Sequence, residues 1–312
     1  MTGLQVVAAR EVPLGGLRAM TVRRTLPHRD RSFVGAWCFV DHYGPTPVGA
    51  DNAGGMDVPP HPHAGLATVS WLFEGEIEHR DSGGVVGLVR PGEVNLMTAG
   101  HGIAHSEVST TAARVLHGVQ LWVALPEAAR DVERGFEHAA PARVALPGGA
   151  AGVGTALVFI GALTGVAASP VHTHTPLLGA QLDLSAHAEV TLPLDPTYEH
   201  GFLLDRGAVS IDGLAVQPGD LGCLDPGPRA VTLRAGAAGA RLILLGGAPF
   251  EEEIVMWWNL IGRSHEEIVE QRAQWEAGAD RFGSVPGYVG ATERIPAPAM
   301  PTVRLRPRRR KT

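Results

Sequence analysis

Two short motifs rich in metal-binding side chains constrain this chain more than any other feature. His61 and His63 form the first pair, and His105 and Glu107 form the second. Both pairs have i, i+2 spacing, and side chains two residues apart leave the same face of a β-strand. Two such pairs on neighbouring strands bring three imidazoles and one carboxylate to one point, which suits a transition-metal ion. We therefore predict one metal site with these four residues as ligands.

The sequence between the two pairs predicts several short antiparallel strands. Residues 68–73 alternate in the way that is typical of a half-buried strand. Turns are predicted at Glu74-Gly75-Glu76, at Gly83-Gly84 and at Pro91-Gly92. This pattern of strand and turn indicates a small β-barrel with the two pairs on neighbouring strands.

The order of these motifs resembles the two-part signature of the cupin superfamily. More narrowly, the sequences HPHAG (61–65), EGEIEHRDSGG (74–84), RPGEV (90–94) and MTAGHGIAHSE (97–107) are similar to the pirin family. The resemblance implies an all-β fold of two tandem cupin (jelly-roll) β-barrels, of which only the first holds metal. In pirins that metal is iron, held by the equivalents of His61, His63, His105 and Glu107.

The resemblance implies one divalent transition metal per chain, with Fe(II) as the expected ion. The same ligand set also accepts copper, nickel, manganese, cobalt or zinc, so the ligands alone do not select the metal. Glu107 has a second predicted role as the catalytic base, because a carboxylate beside the metal can accept a proton from a substrate hydroxyl.

Two positions depart from the family pattern. Ala67 and Thr68 stand where cupins usually carry a glutamate. We interpret this as loss of a hydrogen-bond acceptor near the site rather than loss of the metal, because Glu107 supplies a carboxylate. His101 stands where pirins often carry a basic residue, and either lines the pocket or is an exposed turn residue; we favour the second.

The second half of the chain repeats the first in outline. Small residues and prolines between 139 and 154 indicate a linker, so we predict a metal-binding domain over residues 1–142 and a metal-free domain over residues 143–312. Aligning Gly207 with Gly75 places no histidine pair at the ligand positions of the second half. His172 and His174 have the right spacing but lie too early, and we predict that they bind no metal.

The sequence after residue 260 predicts the one clear helix. Ser264 and Glu267 form a capping box, and the helix is expected to run from about 264 to 277, with Gly278 as its stop. Trp257 and Trp258, just before it, are interpreted as packing residues. The basic tail from Arg304 to Lys311 is interpreted as a solvated, disordered end.

Global features limit the location and the partners. The net charge of −6 gives no overall attraction to nucleic acid. The sequence shows no secretory leader and no apolar stretch long enough for a bilayer, so we expect a cytoplasmic protein without a membrane partner. Cys38 and Cys223 are expected to be reduced rather than joined. Asp41 and His42 either support the metal site or are structural, and we favour the structural role.

Three functions remain open at this stage. The first is a metal-dependent dioxygenase such as a quercetin 2,3-dioxygenase, with a small aromatic substrate and O2. The second is an iron-containing regulatory protein that senses redox state and binds a protein partner. The third is a barrel in which the metal is only structural.

Overall fold

Antiparallel β-strands account for almost all of the regular structure, which confirms the all-β prediction. The computed structural model describes residues 3–13, 20–49, 52–147, 152–290 and 292–310. The strands of the first half are β1 (Gln5–Val7), β2 (Arg10–Pro13), β3 (Thr21–Leu26), β4 (Trp37–Pro47), β5 (Asp57–His63), β6 (Leu66–Glu74), β7 (Ile77–Asp81), β8 (Val86–Val89), β9 (Val94–Thr98), β10 (Ile103–Ser109), β11 (Val115–Ala124) and β12 (Gly135–Ala139).

The second half contains the remaining strands and the helix. They are β13 (Arg143–Ala145), β14 (Gly154–Leu163), β15 (Ala167–Ala168), β16 (Leu177–Leu184), β17 (Glu189–Pro193), β18 (Glu199–Ile211), β19 (Leu214–Val216), β20 (Leu221–Leu224), β21 (Ala230–Gly247), β22 (Val255–Trp257), β23 (Leu260–Gly262) and α1 (His265–Glu276).

Two sheets form the first barrel. The larger has the strand order β12-β9-β6-β11-β4-β3-β2, and the smaller has the order β5-β10-β7-β8. The smaller sheet contains both predicted ligand pairs, on β5 and β10, which are hydrogen-bonded neighbours. The neighbouring strands that the spacing argument requires are therefore present.

The second barrel is one curled sheet with the path β1-β20-β18-β21-β16-β14-β13. Strand β1 pairs with β20, so residues 5–7 join the second barrel although they begin the chain. The predicted first domain, residues 1–142, does not account for this crossing. Strands β12 and β13, on either side of residue 142, pair with different sheets, but the boundary itself stays a prediction.

An apolar layer joins the two barrels. It draws buried side chains from the larger sheet of the first barrel and from the curled sheet of the second. Trp71 stacks on Phe159 with ring centroids 4.5 Å apart. The indole of Trp37 donates to the carbonyl oxygens of Leu178 and Gly246, both at 3.1 Å. Cys38 and Cys223 both lie in this layer as free, buried thiols.

Helix α1 follows the predicted capping chemistry. The backbone amide of Glu267 donates to the Ser264 hydroxyl oxygen at 3.1 Å, as a capping box requires. The residue after the C-cap, Gly278, has φ +67°, a conformation that glycine adopts without strain. Ile268 and Trp275 are buried and fix the helix against the first barrel through Ala64 and Ala104.

The segment after the helix differs from the sequence prediction. Residues 292–310, which we call the C-terminal strap, are solvent-exposed over most of residues 302–309, as predicted, but they are held against the protein by specific contacts instead of forming a disordered end. Arg304 pairs with Glu266, and Arg310 pairs with the buried carboxylate of Glu199 at 2.9 Å. Two of the arginines that suggested a free tail, Arg304 and Arg310, are therefore ion-pairing partners of acidic residues. Lys311 lies outside the described residues.

Within the described residues, no helix has both the length and the apolar character needed to cross a membrane.

Candidate metal centre

Strand pairing brings three of the four predicted ligands together. On β5 and β10, His61 is the register partner of His105, while His63 is opposite Ile103. The ring centroids of His61 and His105 are 4.3 Å apart, and His63 is 5.0 Å from each of them. One donor atom from each of the three lies within 4.8 Å of the others. All three side chains are buried.

Backbone carbonyls set the orientation of the two histidines on β5. His61 Nδ1 is 2.9 Å from the carbonyl oxygen of Pro59, and His63 Nδ1 is 3.0 Å from that of Asn259. A carbonyl oxygen only accepts hydrogen bonds, so each Nδ1 carries the proton. Each Nε2 is therefore left with a free lone pair, as metal coordination requires.

The third histidine has a buried nitrogen without a partner. His105 Nδ1 lies 3.3 Å from Nδ1 of His79, whereas His105 Nε2 has no hydrogen-bond partner among the described residues. Buried polar atoms are rarely left unpaired, so this atom requires an explanation. A transition-metal ion bound by three imidazole nitrogens satisfies it, and the residues present thus fit the metal that the sequence predicts.

Glu107 lies on the same strand but not in the three-histidine group. Its carboxylate comes within 4.8 Å of donor atoms of His79 and His105. The register between β5 and β10 shifts between His105 and Glu107, so that Glu107 faces Val58. Such an irregularity re-aims the side chain that follows it. The Ser70 hydroxyl, 3.0 Å from Glu107 Oε1, is placed to donate to it. Glu107 as a fourth ligand stays a prediction.

Burial controls the charge of these groups. It lowers the pKa of His61 to about 4, and it holds the pKa values of His63 and His105 well below the ordinary range. The three imidazoles are therefore neutral near pH 7, which is the form that binds metals. Burial also raises the pKa of Glu107, so its carboxylate is a stronger base than usual.

A cavity of about 460 Å³ opens beside the histidines, within the usual size range of small-molecule pockets. Phe39 and Trp122 stack in its wall with ring centroids 4.0 Å apart and planes 12° from parallel. The guanidinium of Arg24 lies 4.2 Å above the Phe39 ring. Trp258 packs against the apolar cluster beneath helix α1, as predicted, and also lines the cavity.

The C-terminal strap supplies part of the cavity wall through Ile295, Pro296 and Pro298. The backbone amide of Ile295 donates to the carbonyl oxygen of Pro60 at 2.8 Å, beside the first histidine of β5. The indole of Trp275 donates to the Ile295 carbonyl oxygen at 2.9 Å. The C-terminal strap is thus hydrogen-bonded to β5, the strand that contains His61 and His63.

Among the described residues, four other candidates from the sequence neither line the cavity nor belong to a three-donor group. His101 is an exposed turn residue, 3.5 Å from Asp131, in agreement with the interpretation that we favoured. His172 and His174 lie near each other but belong to no three-donor group within the described residues. Ala67 lies in the apolar layer between the barrels.

A second group of three donors lies where the two barrels meet. His42 and His117 from the first barrel are 2.8 and 2.6 Å from one carboxylate oxygen of Asp205 in the second. Arg241 binds the other oxygen at 2.6 Å. The guanidinium already neutralises the carboxylate and disfavours a cation, so the group has a structural explanation. Asp41 forms an ion pair at 2.6 Å with Arg24, which lines the cavity, so its structural role stays a prediction.

Sequence reasoning missed His79 and Asp81. Both lie on β7, which pairs with β10 on the side opposite to β5. His79 Nε2 is 3.1 Å from Asp81 Oδ2, and both side chains are buried. Their i, i+2 spacing is the same signal that identified the other two pairs.

Comparisons with known proteins agree with this geometry. The family model "Pirin" matches residues 18–123, and "Pirin C-terminal cupin domain" matches residues 179–283. A Pseudomonas aeruginosa protein whose name gives quercetin 2,3-dioxygenase as a provisional activity is 43% identical, over 96% of this chain and 91% of its own length. A pirin-like protein from Caulobacter vibrioides is 35% identical, over 88% of this chain and 93% of its own.

A solved structure is similar over almost the whole chain. It is a quercetin 2,3-dioxygenase from Acinetobacter baumannii, 38% identical, with a TM-score of 0.89 and coverage of 97% of both chains. Matches to both family models, together with relatives of this identity and coverage, confirm the family that the motifs indicated. This two-barrel chain belongs to the pirin family.

Proposed function

We propose that this protein is a metal-dependent dioxygenase acting on small aromatic molecules with adjacent oxygen groups, such as flavonols, catechols or related enediols. The observation that carries the proposal is the convergence of three neutral imidazoles on an aromatic-lined cavity. Similarity to a protein described as a quercetin 2,3-dioxygenase supports the same substrate class.

His61, His63 and His105 are the proposed ligands, and Glu107 is the proposed fourth. A bound ion would supply Lewis acidity that favours loss of the proton from a substrate hydroxyl. Fe(II) is the proposed ion because pirins hold iron, while the donor set itself also accepts copper, nickel, manganese, cobalt or zinc.

The cavity wall provides recognition for a flat ring. Phe39, Trp122 and Trp258 present aromatic surface, and aromatic rings pack favourably in offset-stacked or edge-to-face pairs. The strap residues Ile295 and Pro296 add apolar surface to the same cavity and exclude water from the bound ring.

Glu107 is the proposed proton acceptor. Burial raises the pKa of Glu107 in the metal-free protein, whereas a bound cation favours the ionised carboxylate, which is the form that accepts a proton from a substrate hydroxyl. The Ser70 hydroxyl lies 3.0 Å from Glu107 Oε1 and 2.9 Å from Gln120 Oε1, and its one proton is donated to one of these two oxygens. The proton moves from the substrate oxygen to Glu107, and the substrate gains the negative charge needed for attack by O2.

Oxygen uptake by metal-loaded protein tests this proposal. Protein purified without added metal is analysed for its elements, loaded with Fe(II), and assayed with a panel of flavonols and catechols. We expect oxygen consumption that rises with metal occupancy and is absent from a His105→Ala variant. Full occupancy without turnover of any panel member would contradict the enzyme and favour the regulatory alternative with a protein partner.

The proposed location is the cytoplasm. Cys38 and Cys223 are both free thiols, and reduced cysteines are the usual state in reducing compartments.

A further inference from the structure

We propose that His79 and Asp81 are positioning residues of the metal centre, which hold His105 with its Nε2 lone pair facing His61 and His63. The inference deepens the proposed function, because it concerns how the chain prepares one ligand of the same site. It rests on the hydrogen bonds among Asp81, His79 and His105, which form without any bound ion.

The relay starts at a carboxylate that is fixed at both oxygens. Asp81 Oδ1 accepts from the backbone amides of Gly83 and Val85, at 2.8 and 3.1 Å, and Oδ2 lies 3.1 Å from His79 Nε2. Burial opposes ionisation of Asp81, but hydrogen bonds from His79 and these amides outweigh it and lower its pKa. The group is therefore an ionised carboxylate that only accepts hydrogen bonds.

The carboxylate dictates the tautomer of both imidazoles. His79 must carry its proton on Nε2 to donate to Asp81, which leaves a lone pair on His79 Nδ1. That lone pair is 3.3 Å from His105 Nδ1, so His105 donates from Nδ1. His105 Nε2, buried and without a partner in the described structure, is then the atom left with a lone pair.

Strand pairing explains why the relay reaches the ligand. Strand β10 lies between β5 and β7, with His105 opposite His61 on one side and opposite Asp81 on the other. Strand β5 therefore supplies the ligands His61 and His63, and strand β7 supplies the orienting pair His79 and Asp81. The His79 ring is also held against Phe136, with centroids 4.8 Å apart.

His105 depends on side chains in a way that the other two histidines do not. Backbone carbonyls orient His61 and His63 and cannot be removed by substitution. Side-chain partners of metal ligands typically contribute about 10- to 100-fold to metal affinity. His79 and Asp81 thus allow the contribution of orientation to be measured while all the ligands remain.

The experiment compares three variants by Zn(II) affinity and by histidine tautomer. Affinity is measured in competition with a chromophoric chelator, and the tautomer of His105 is read from side-chain ¹⁵N NMR of metal-free protein. The chosen variants are His79→Leu, which removes the acceptor, His79→Gln, whose carbonyl can replace it, and Asp81→Asn. His200→Leu, a buried histidine in the second barrel, is the control.

We expect His79→Leu to lower Zn(II) affinity by about 10- to 100-fold, and His79→Gln to recover most of that loss.

Asp81→Asn tests the tautomer of His105 most directly. The amides of Gly83 and Val85 require an acceptor, so the oxygen of the introduced carboxamide stays with them and its NH₂ faces His79. His79 must then carry its proton on Nδ1, which drives the proton of His105 to Nε2 and blocks coordination. The control should keep wild-type affinity.

Each outcome decides between the alternatives. Wild-type Zn(II) affinity in His79→Leu, or a His105 proton on Nε2 in the metal-free wild-type protein, would overturn the relay. If His79→Leu does not fold, Asp81→Asn gives the test, because wild-type Zn(II) affinity in that variant would equally overturn the relay. A wild-type protein with the expected tautomers but no metal binding would contradict the proposed function and leave the relay supported.

Discussion

The two barrels share an architecture but fill their interiors differently. The first keeps the group of His61, His63 and His105, a buried glutamate and a cavity of about 460 Å³ inside its strands. The second fills the corresponding space with apolar side chains such as Phe202, Leu204 and Leu242, all fully buried. A binding site thus occupies the volume that the other barrel uses for packing, which makes the second barrel the natural source of stability.

The presence of an acidic residue and a histidine does not by itself create a metal site. When Gly75 is aligned with Gly207, the second barrel carries Glu199 and His200 where the first carries Ala67 and Thr68. Yet the carboxylate of Glu199 accepts from the Gly35 amide at 2.8 Å and pairs with arginines, including Arg310. A buried acid and a histidine next to each other form no metal site when their donor atoms have other partners or point apart.

The largest expected effect concerns which barrel binds metal. His105→Ala removes a central donor and should abolish metal binding, whereas His172→Ala combined with His174→Ala should leave it unchanged. Elemental analysis of purified protein should give one metal per chain, because the three-histidine group occurs only in the first barrel of the described structure. Two metals per chain would contradict the prediction that only the first barrel binds metal.

Glu107→Gln should separate the chemistry of the first barrel from its metal binding. Glutamine keeps the shape and an oxygen that can coordinate, but it is a far poorer base. We expect metal occupancy to be largely retained and flavonol turnover to fall by at least about a hundredfold, the lower end for loss of a general base. Activity that falls only in proportion to metal occupancy would show that Glu107 is a ligand and not a base.

A truncation in each barrel should show where the stability lies. Leu204→Ala leaves a void in the packed second barrel and should cost about 2–5 kcal/mol of unfolding free energy. Met56→Ala enlarges a cavity that already exists in the first barrel, so its effect should be smaller. Urea unfolding of metal-free protein measures both. Equal losses would show that the first barrel is as tightly packed as the second.

Metal should stabilise the first barrel without being required for folding. At a free metal concentration a hundredfold above the dissociation constant, we expect about 3 kcal/mol of added stability. Chelation should lower the melting temperature, while the circular dichroism spectrum of the chelated protein stays that of a folded β protein, since both barrels and the layer between them retain apolar cores. An unfolded chelated protein would contradict this.

The last expected effect is a pH dependence from the second barrel. Burial lowers the pKa of His200 to about 4 from the ordinary 6.5. The unfolded chain therefore takes up a proton at His200 over this interval while the folded chain does not, so stability is lost as the pH falls from about 6.5 to about 4. The loss is at most about 3 kcal/mol. Wild-type and His200→Gln proteins that lose equal stability on acidification would exclude this contribution.

Local spacing explains what the sequence predicted. The i, i+2 pairs, the turns and the capping box depend on neighbours along the chain, so the convergence of His61, His63 and His105 and the helix start at Ser264 were predicted correctly. His79 carries the same local signal with Asp81 and was missed because the segment was interpreted only as a turn and returning strand.

Long-range contacts explain what the sequence did not predict. The carbonyl oxygen of Asn259, which orients His63, is nearly two hundred positions away in sequence, and nothing local links the two residues. The basic tail was interpreted from its charge alone, whereas its acidic partners Glu199 and Glu266 lie on distant elements. The shift that separates Glu107 from the histidines on β5 also depends on the pairing of two strands.

The Asn259 contact and the C-terminal strap determine when the metal site is completed during synthesis and folding. Protein chains fold as they are synthesised, with amino-terminal domains generally folding first. All the proposed ligands leave the ribosome long before Asn259 and Ile295, which complete the orientation of His63 and the cavity wall. A metal that enters before the last residues have been added meets an incompletely oriented site. Premature termination near the end of the chain would therefore leave both barrels with their strands and still remove a wall of the pocket.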